Sequence, residues 1–349
     1  MLKNNNTNER SIHTRKLSQS KPVLDQIVRQ YPSSSIAVVG CNMSGFAYSV
    51  CEIDLLVTAT PSGPIRIALG SEVLDIHLIG ENPSMSDLPV MVRASMSSSH
   101  IIADPTMMFS SYRTNAKENY ELYLRQYSRE EAREAITQIC RSEDAQEADK
   151  LDSADFWASS AIYHLSDSLT LRANTIPSPS HMLAQLRSIG NSSETQLCLA
   201  ALNTGHSTPT AVQRRMKALR LITEQLPNTS SVDSLNRFIP ALSFAADPLF
   251  SQHESSRVAY LCRNHQVSSA YLLAGRLLCR LIVSAYECNC ITGNYSPLYH
   301  HMIEELLKEN SPHFRIARNL YQLMGIPSGL ARESENMSNL KSLAKQLLS

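Results

Sequence analysis

The chain has 349 residues, of which 43% are hydrophobic and 18% are charged, so it holds enough apolar material for a packed core. Lys plus Arg and Asp plus Glu each number 32, and this zero net charge excludes a strongly basic nucleic-acid footprint across the whole chain. Glycine, at 11 residues, is scarce, which argues against a large all-β fold. The length predicts two domains, or three small ones.

Cysteine usage and the N-terminus predict a cytoplasmic protein. The chain contains 8 cysteines but no Cys-x-x-Cys pair, and a chain of this length does not need disulfides, so we expect reduced thiols. The first 21 residues are polar and lack the apolar segment of a secretory signal, which predicts a disordered tail. The most apolar stretch, residues 270–286, is interrupted by Arg276 and Arg280 on one helical face, so we expect a buried helix and no membrane span.

The first hundred residues alternate between helical and strand patterns. An apolar helical stripe over 22–31 precedes two short apolar strands and a predicted β-hairpin with a Gly70-Ser71 turn. The strands are predicted at 35–39 and 53–59, and the hairpin strands at 65–69 and 72–79. The two prolines between residues 80 and 96 predict an irregular segment.

After about residue 104 the strand patterns stop and helical patterns continue towards the C-terminus. The predicted helices cover 115–146, 153–173, 181–187, 194–202, 209–225, 234–246, 255–286, 297–309, 312–324 and 339–348. We therefore predict the α+β class, with a small N-terminal α/β domain followed by a larger all-α domain. The predicted division is a disordered tail (1–21), the α/β domain (22–104), the helical domain (105–326) and a loosely held C-terminal segment (327–349).

The stretch that follows the first predicted strand carries the chemistry. A loop with Gly40 and Gly45 leads into the second strand, which presents Glu52 and Asp54 on one face because alternate residues of a strand share a face. Two neighbouring carboxylates repel unless a cation lies between them, and Mg²⁺ prefers such hard oxygen ligands. Asp75 lies inside an apolar strand, where a charge is costly unless it is paired or metal-bound. We expect it to complete a cluster of three carboxylates.

The register of these residues resembles the signature of the DNA polymerase beta-type nucleotidyltransferase superfamily. That signature is a Gly-Ser opening, a second glycine five residues later, and Asp-x-Asp between apolar residues. Here Gly40, Gly45, Glu52 and Asp54 keep the spacing without gaps, and Asp75 resembles the third carboxylate of the superfamily, in a later strand. The resemblance covers about residues 22–80.

The resemblance implies a nucleotidyltransferase-like domain, a mixed sheet with flanking helices, that uses Mg²⁺ to move a nucleotidyl group from a nucleoside triphosphate to a hydroxyl acceptor and releases pyrophosphate. The acceptor would be a small molecule or a protein, because the neutral chain disfavours long nucleic acids. The residues implied in nucleotide binding are Gly40, Cys41, Ser44 and Gly45. The residues implied in catalysis and metal binding are Glu52, Asp54 and Asp75, the last as metal ligand or general base.

Two positions depart from the family pattern and suggest an alternative function. Cys41 replaces a serine hydroxyl with a weak thiol donor. Glu52 is one methylene longer than the usual aspartate, and a displacement of about an ångström can cost ~10²-fold in rate. The alternative is a catalytically degenerate domain that senses nucleotides or binds proteins, with the helical domain as the partner surface.

Other polar clusters have simpler interpretations. His77 shares a face with Asp75 and could contact substrate or metal, although we favour a partly buried, hydrogen-bonded histidine. The spacing of Cys288 and Cys290 relative to the two histidines at 300 and 301 matches no standard zinc pattern. A third functional hypothesis, an RNA-associated protein, depends on a basic helical run that we otherwise expect on a solvated face: Arg214, Arg215, Lys217 and Arg220.

Overall fold

A computed structural model describes residues 20–43, 46–60, 63–69, 72–190, 192–224, 248–293, 297–308 and 316–349. The chain divides into two compact units, Met1–Tyr127 and Ser128–Ser349. In the described part, a small five-stranded mixed sheet with helices is followed by a larger helical region, which confirms the predicted α+β class.

The N-terminal unit is built on a mixed sheet with the strand order β3-β4-β2-β1-β5. Strands β2 and β4 are parallel, and the other neighbours are antiparallel. The strands are β1 (Ile36–Val39), β2 (Ile53–Val57), β3 (Gly63–Leu69), β4 (Glu72–Leu78) and β5 (His100–Ala103). The helices of this unit are α1 (Lys21–Gln30), α2 (Val90–Met96) and α3 (Met108–Glu118), and α4 (Tyr120–Glu147) begins in it.

The predicted helix, the first two strands and the hairpin are confirmed, whereas the segment predicted as irregular contains α2. Pro89 is the residue just before this helix, where the missing N–H of proline costs nothing, so the proline begins the helix rather than preventing it. The four-residue strand β5 was too short to leave a sequence pattern. Helix α3 packs against α2, and both lie in the compact unit that extends to Tyr127.

One face of the sheet forms the core of this unit. Alternate residues of β2, Ile53, Leu55 and Val57, are fully buried and pack with Leu24 and Ile27 of α1. The side chains between them therefore lie on the opposite face, which carries the polar residues of β2 and β4.

Every regular element that the structure describes in the C-terminal unit is a helix. After the main part of α4, its helices are α5 (Leu151–Arg172), α6 (Met182–Ile189), α7 (Ser193–Ala201), α8 (Pro209–Thr223), α9 (Pro248–Arg263), α10 (Val267–Gly293), α11 (Met302–Leu306), α12 (Arg318–Met324) and α13 (Ser334–Leu348). The helix predicted at 234–246 lies outside the described residues. The segment predicted as loosely held contains α13, which buries Leu340, Leu343 and Leu347 in the helical core.

Two helices predicted as continuous are each broken in two. Asn119 interrupts the predicted 115–146 helix with non-helical backbone angles, so α3 ends and α4 begins there. His265, at φ 59°, interrupts the predicted 255–286 helix between α9 and α10. A single residue of this kind leaves the 3.6-residue apolar pattern almost unchanged, so periodicity could not detect it.

Helix α10 contains the apolar stretch that the sequence predicts as buried. Over Val267–Glu287 it is long and apolar enough to cross a membrane, yet 72% of its most apolar window is buried inside the protein, as in the core helix of a soluble protein. Arg276 interrupts the stretch and forms a buried, two-pronged ion pair with Asp167 of α5.

Candidate functional site

Strand register brings three carboxylates together on the polar face of the sheet. Asp54 of β2 lies directly opposite Asp75 of β4, so their side chains share a face. Glu52 comes two residues before Asp54, at the entrance to the same strand. One carboxylate oxygen from each of the three residues lies within 4.8 Å of the other two. The structure therefore forms the three-carboxylate cluster that the sequence predicts.

A buried arginine pairs with the third carboxylate. Arg66 of β3 lies opposite Asp75 in the β3–β4 hairpin. Its Nε donates to Asp75 Oδ1 at 2.6 Å and its Nη2 to Oδ2 at 2.7 Å, and both side chains are buried. Such two-pronged pairs fix the carboxylate in one orientation. Three carboxylates and one guanidinium leave two net negative charges in the cluster when all are ionised.

Gly40 permits the close approach of Asp54 at the end of β1. Its φ of +76° is in the left-handed region, and a Cβ at this position would lie 2.1 Å from Asp54 Oδ2. Any side chain here would displace the carboxylate. The glycine is therefore needed by the geometry of the carboxylate cluster itself, in addition to any role of the loop in binding phosphates.

The loop after β1 is held by a pair of buried thiols. Cys41 and Cys51 are both buried, and the hydrogen bond between their side chains, together with burial, raises the pKa of Cys41 well above its usual value. The thiol of Cys41 is thus neutral and engaged by Cys51. The side-chain amide of Asn42 donates to the backbone carbonyl of Glu52 and ties the loop to the entrance of β2. Nucleotide binding at Cys41 stays a prediction, and Ser44 and Gly45 lie outside the described residues.

His77 lies on the polar face two residues after Asp75 and is half-buried. Burial lowers the pKa of His77, Arg66 lowers it further, and Asp75 opposes this shift, so the imidazole is neutral at pH 7. The predicted partial burial is confirmed. The predicted hydrogen bond is not seen with any residue that the structure describes.

Sequence reasoning missed Arg66, although a signal was present. A hairpin with a two-residue turn at Gly70-Ser71 pairs Leu69 with Glu72, and counting back three more residues pairs Arg66 with Asp75. The cation partner of Asp75 could thus have been found from the predicted hairpin alone. The contact between Cys41 and Cys51 carried no comparable signal, because no predicted strand register relates the two residues across the loop that separates them.

The basic run in the helical unit is split between surface and interior. Arg214, Lys217 and Arg220 are exposed on α8, as predicted for a solvated face. Arg215 is instead buried, with 3% of its surface exposed, and donates to three backbone carbonyls. The cluster that motivated the RNA hypothesis therefore offers one cation fewer to a ligand than the sequence suggests.

Comparisons with known proteins add little to this site. No protein-family model matches the chain, and no curated protein matches it. Among solved structures, the chain is similar to a nucleotidyltransferase-like protein from Exiguobacterium sibiricum, at 11% identity and a TM-score of 0.33, over 95% of this chain and 89% of that one. A TM-score this low marks a distant likeness and carries no argument.

Proposed function

We propose that this chain is a divalent-cation-dependent nucleotidyltransferase that moves a nucleotidyl group from a nucleoside triphosphate to a hydroxyl acceptor. The observation that supports the proposal is the convergence of Glu52, Asp54 and Asp75 on one sheet face, beside a loop that opens with Gly40. The resemblance of this register to the nucleotidyltransferase signature supplies the reaction class. The acceptor we propose is a small molecule or a protein hydroxyl.

The cluster fits a hard divalent cation in both donor type and charge. All three ligands offer carboxylate oxygens, which Mg²⁺ prefers. The two net negative charges that remain after Arg66 is counted match the charge of one such ion. Glu52 and Asp54 would hold the ion, and Asp75 would share one of its oxygens with it. When bound, the ion would neutralise charge on the phosphates of the nucleotide.

The protein groups have separate tasks in this reaction. The acceptor hydroxyl gives its proton to the Asp75 carboxylate, the general base that the resemblance implies, and its oxygen forms a bond to the α-phosphorus. The bond from that phosphorus to the bridging oxygen breaks, and pyrophosphate leaves with the electron pair. Arg66 holds the Asp75 carboxylate in one orientation on the sheet. Gly40 leaves the space in which Asp54 reaches the cluster. Each of these contacts positions a charge before the substrate arrives, so the site loses little energy to reorganisation.

Nucleotide titration tests the proposal. We expect calorimetry with ATP, GTP, CTP and UTP to show binding of at least one nucleotide that requires Mg²⁺, and pyrophosphate release once an acceptor is supplied. The Asp54→Asn variant should lose the Mg²⁺-dependent part of that binding, because it removes a charged ligand while keeping the size of the side chain. Asp25→Asn, at an exposed carboxylate of α1, is the matched control and should bind like the wild type. Equal binding by the Asp54 and Asp25 variants would discard the site.

A catalytically degenerate nucleotide-binding module is the second candidate, and two contacts favour it. Both oxygens of Asp75 accept hydrogen bonds from Arg66, and the Cys41 thiol is buried against Cys51. In this case we expect nucleotide binding without turnover. Restoring the family residues with Cys41→Ser and Glu52→Asp should then raise pyrophosphate release, whereas a loss of activity would mean that the native residues belong to a working site.

A further inference from the structure

The helical unit contains a small cavity with a polar wall. Helices α5, α8 and α10 contribute Ser159, Tyr163, Arg215, Gly275 and Cys279, and apolar side chains close the rest. The cavity volume is about 10 Å³, close to what one water-sized ligand needs. All of these residues belong to the C-terminal unit, so the cavity is separate from the carboxylate cluster of the sheet.

The guanidinium of Arg215 brings a buried positive charge to this cavity. Its three nitrogens donate to the carbonyls of Met324, Tyr271 and Gly325 at 2.8–3.0 Å, and it stacks 3.4 Å from the centre of the Tyr271 ring. Among the described residues, no carboxylate pairs with it. Carbonyl dipoles and a ring face stabilise the charge but do not neutralise it. A buried charge without a counter-ion is costly.

No titratable group in the wall supplies the missing negative charge. Burial raises the pKa of Cys279 to about 12, although Arg215 and Arg276 both oppose the shift. Burial likewise raises the pKa of Tyr163, against the effect of Arg215. Both groups are therefore neutral at pH 7, and Asp167, the nearest carboxylate to Arg276, is already paired with that arginine. The cavity keeps a net positive charge.

A buried hydroxyl in the same wall has no partner. Ser159 is 3% exposed, and its Oγ makes no hydrogen bond in the part of the chain that the structure describes. Serine hydroxyls on helices usually bond to a backbone carbonyl one turn earlier, so an unpartnered one beside a cavity calls for a ligand that accepts a hydrogen bond. Gly275 makes room for the two polar groups of the wall, since a Cβ there would lie 2.3 Å from both Arg215 Nη1 and Tyr163 Oη.

We propose that this cavity binds one monatomic anion, a halide such as chloride, between Arg215 and the hydroxyl of Ser159. An anion supplies the charge that Arg215 lacks and accepts the hydrogen bond that Ser159 has to give. The small volume matches an ion of atomic size. The site is a structural one, because its polar lining residues come from three helices of the core.

Anion-dependent melting of the full chain tests the proposal. Wild-type protein is heated in sodium chloride and in sodium gluconate at equal ionic strength, because gluconate is too large to enter. We expect Tm to rise by several degrees as chloride replaces gluconate, and to rise with the logarithm of the chloride concentration. The Ser159→Ala variant should lose most of that rise. In gluconate it should melt no lower than the wild type, because it removes an unsatisfied hydroxyl.

Two controls separate a specific site from a general salt effect. Ser160→Ala changes a neighbouring buried serine of the same helix that does not line the cavity, and it should keep the wild-type response to chloride. Crystals grown in bromide should show an anomalous peak between Ser159 and Arg215. An ordered water without anomalous signal at this position, or equal chloride responses in the wild type and Ser159→Ala, would overturn the proposal.

Discussion

The carboxylate cluster of the N-terminal sheet and the Arg215 cavity of the helical unit share one construction. In each, a glycine leaves the space that a charged side chain occupies: a Cβ at Gly40 would lie 2.1 Å from Asp54 Oδ2, and one at Gly275 would lie 2.3 Å from Arg215 Nη1. In both places the neighbouring residues neutralise only part of the charge. The sheet cluster keeps an excess of negative charge, and the helical cavity keeps an excess of positive charge.

A third group, the pair between Arg276 and Asp167, shows what a completed arrangement looks like. Its two charges balance, both residues are buried, and the contact needs no ligand. Incomplete pairing, rather than burial of charge as such, therefore distinguishes a candidate binding site from a structural ion pair in this protein.

The largest expected effect comes from breaking two of the buried ion pairs, Arg276 with Asp167 and Arg66 with Asp75. Arg276→Met leaves Asp167 buried and unpaired, and should lower the free energy of unfolding by about 3–5 kcal/mol. Arg66→Met should cost a similar amount in the absence of metal, because it leaves three carboxylates without a cation. Urea unfolding with and without Mg²⁺ distinguishes the two variants. Mg²⁺ should restore much of the free energy of unfolding that Arg66→Met loses and none of what Arg276→Met loses. The same response in both variants would contradict a metal site at the sheet.

A smaller effect is expected from a pair of glycine substitutions. Gly40 and Gly80 both have positive φ, at +76° and +84°, so alanine at either should cost about 1–2 kcal/mol in backbone strain. Only at Gly40 does the new Cβ meet another residue, Asp54, whereas nothing lies within 4 Å of the position at Gly80. Gly40→Ala should therefore be the more destabilising by urea unfolding and should alone weaken Mg²⁺-dependent nucleotide binding. Equal binding in both variants would remove Gly40 from the site.

The smallest expected effect is a pH dependence at His77. Burial lowers its pKa in the folded state below the usual 6.5, so the unfolded chain takes up the proton first as the pH falls. The stabilising contribution of the neutral imidazole is therefore present above pH 6.5, the usual pKa of the unfolded chain. It is lost as the pH falls from there towards the lower pKa of the folded state. Melting between pH 7.5 and 5 should therefore show a shallower loss of Tm in His77→Gln than in the wild type. His206→Gln, at an exposed histidine of the helical unit, should melt like the wild type, and identical slopes in all three proteins would refute the shift.

Much of the fold and part of the site could be predicted from local patterns. The hairpin was predicted because its strands have a two-residue period and its turn has the right residues, and the structure confirms both strands. The same hairpin already implied that Arg66 faces Asp75. The breaks at Asn119 and His265 could not be predicted, because one residue with non-helical angles hardly changes a helical apolar pattern.

The sequence by itself determined the α+β class, the first four strands of the chain and the shared face of Glu52 and Asp54, because these depend on periodicities of two and 3.6 residues within short segments. Only the tertiary structure decided that the thiol of Cys41 contacts that of Cys51, and that Arg215 of a basic run lies inside the helical core. Those outcomes depend on which surfaces meet when the chain folds. A charge pattern along the chain cannot tell a cation that faces solvent from one that fills a gap between helices.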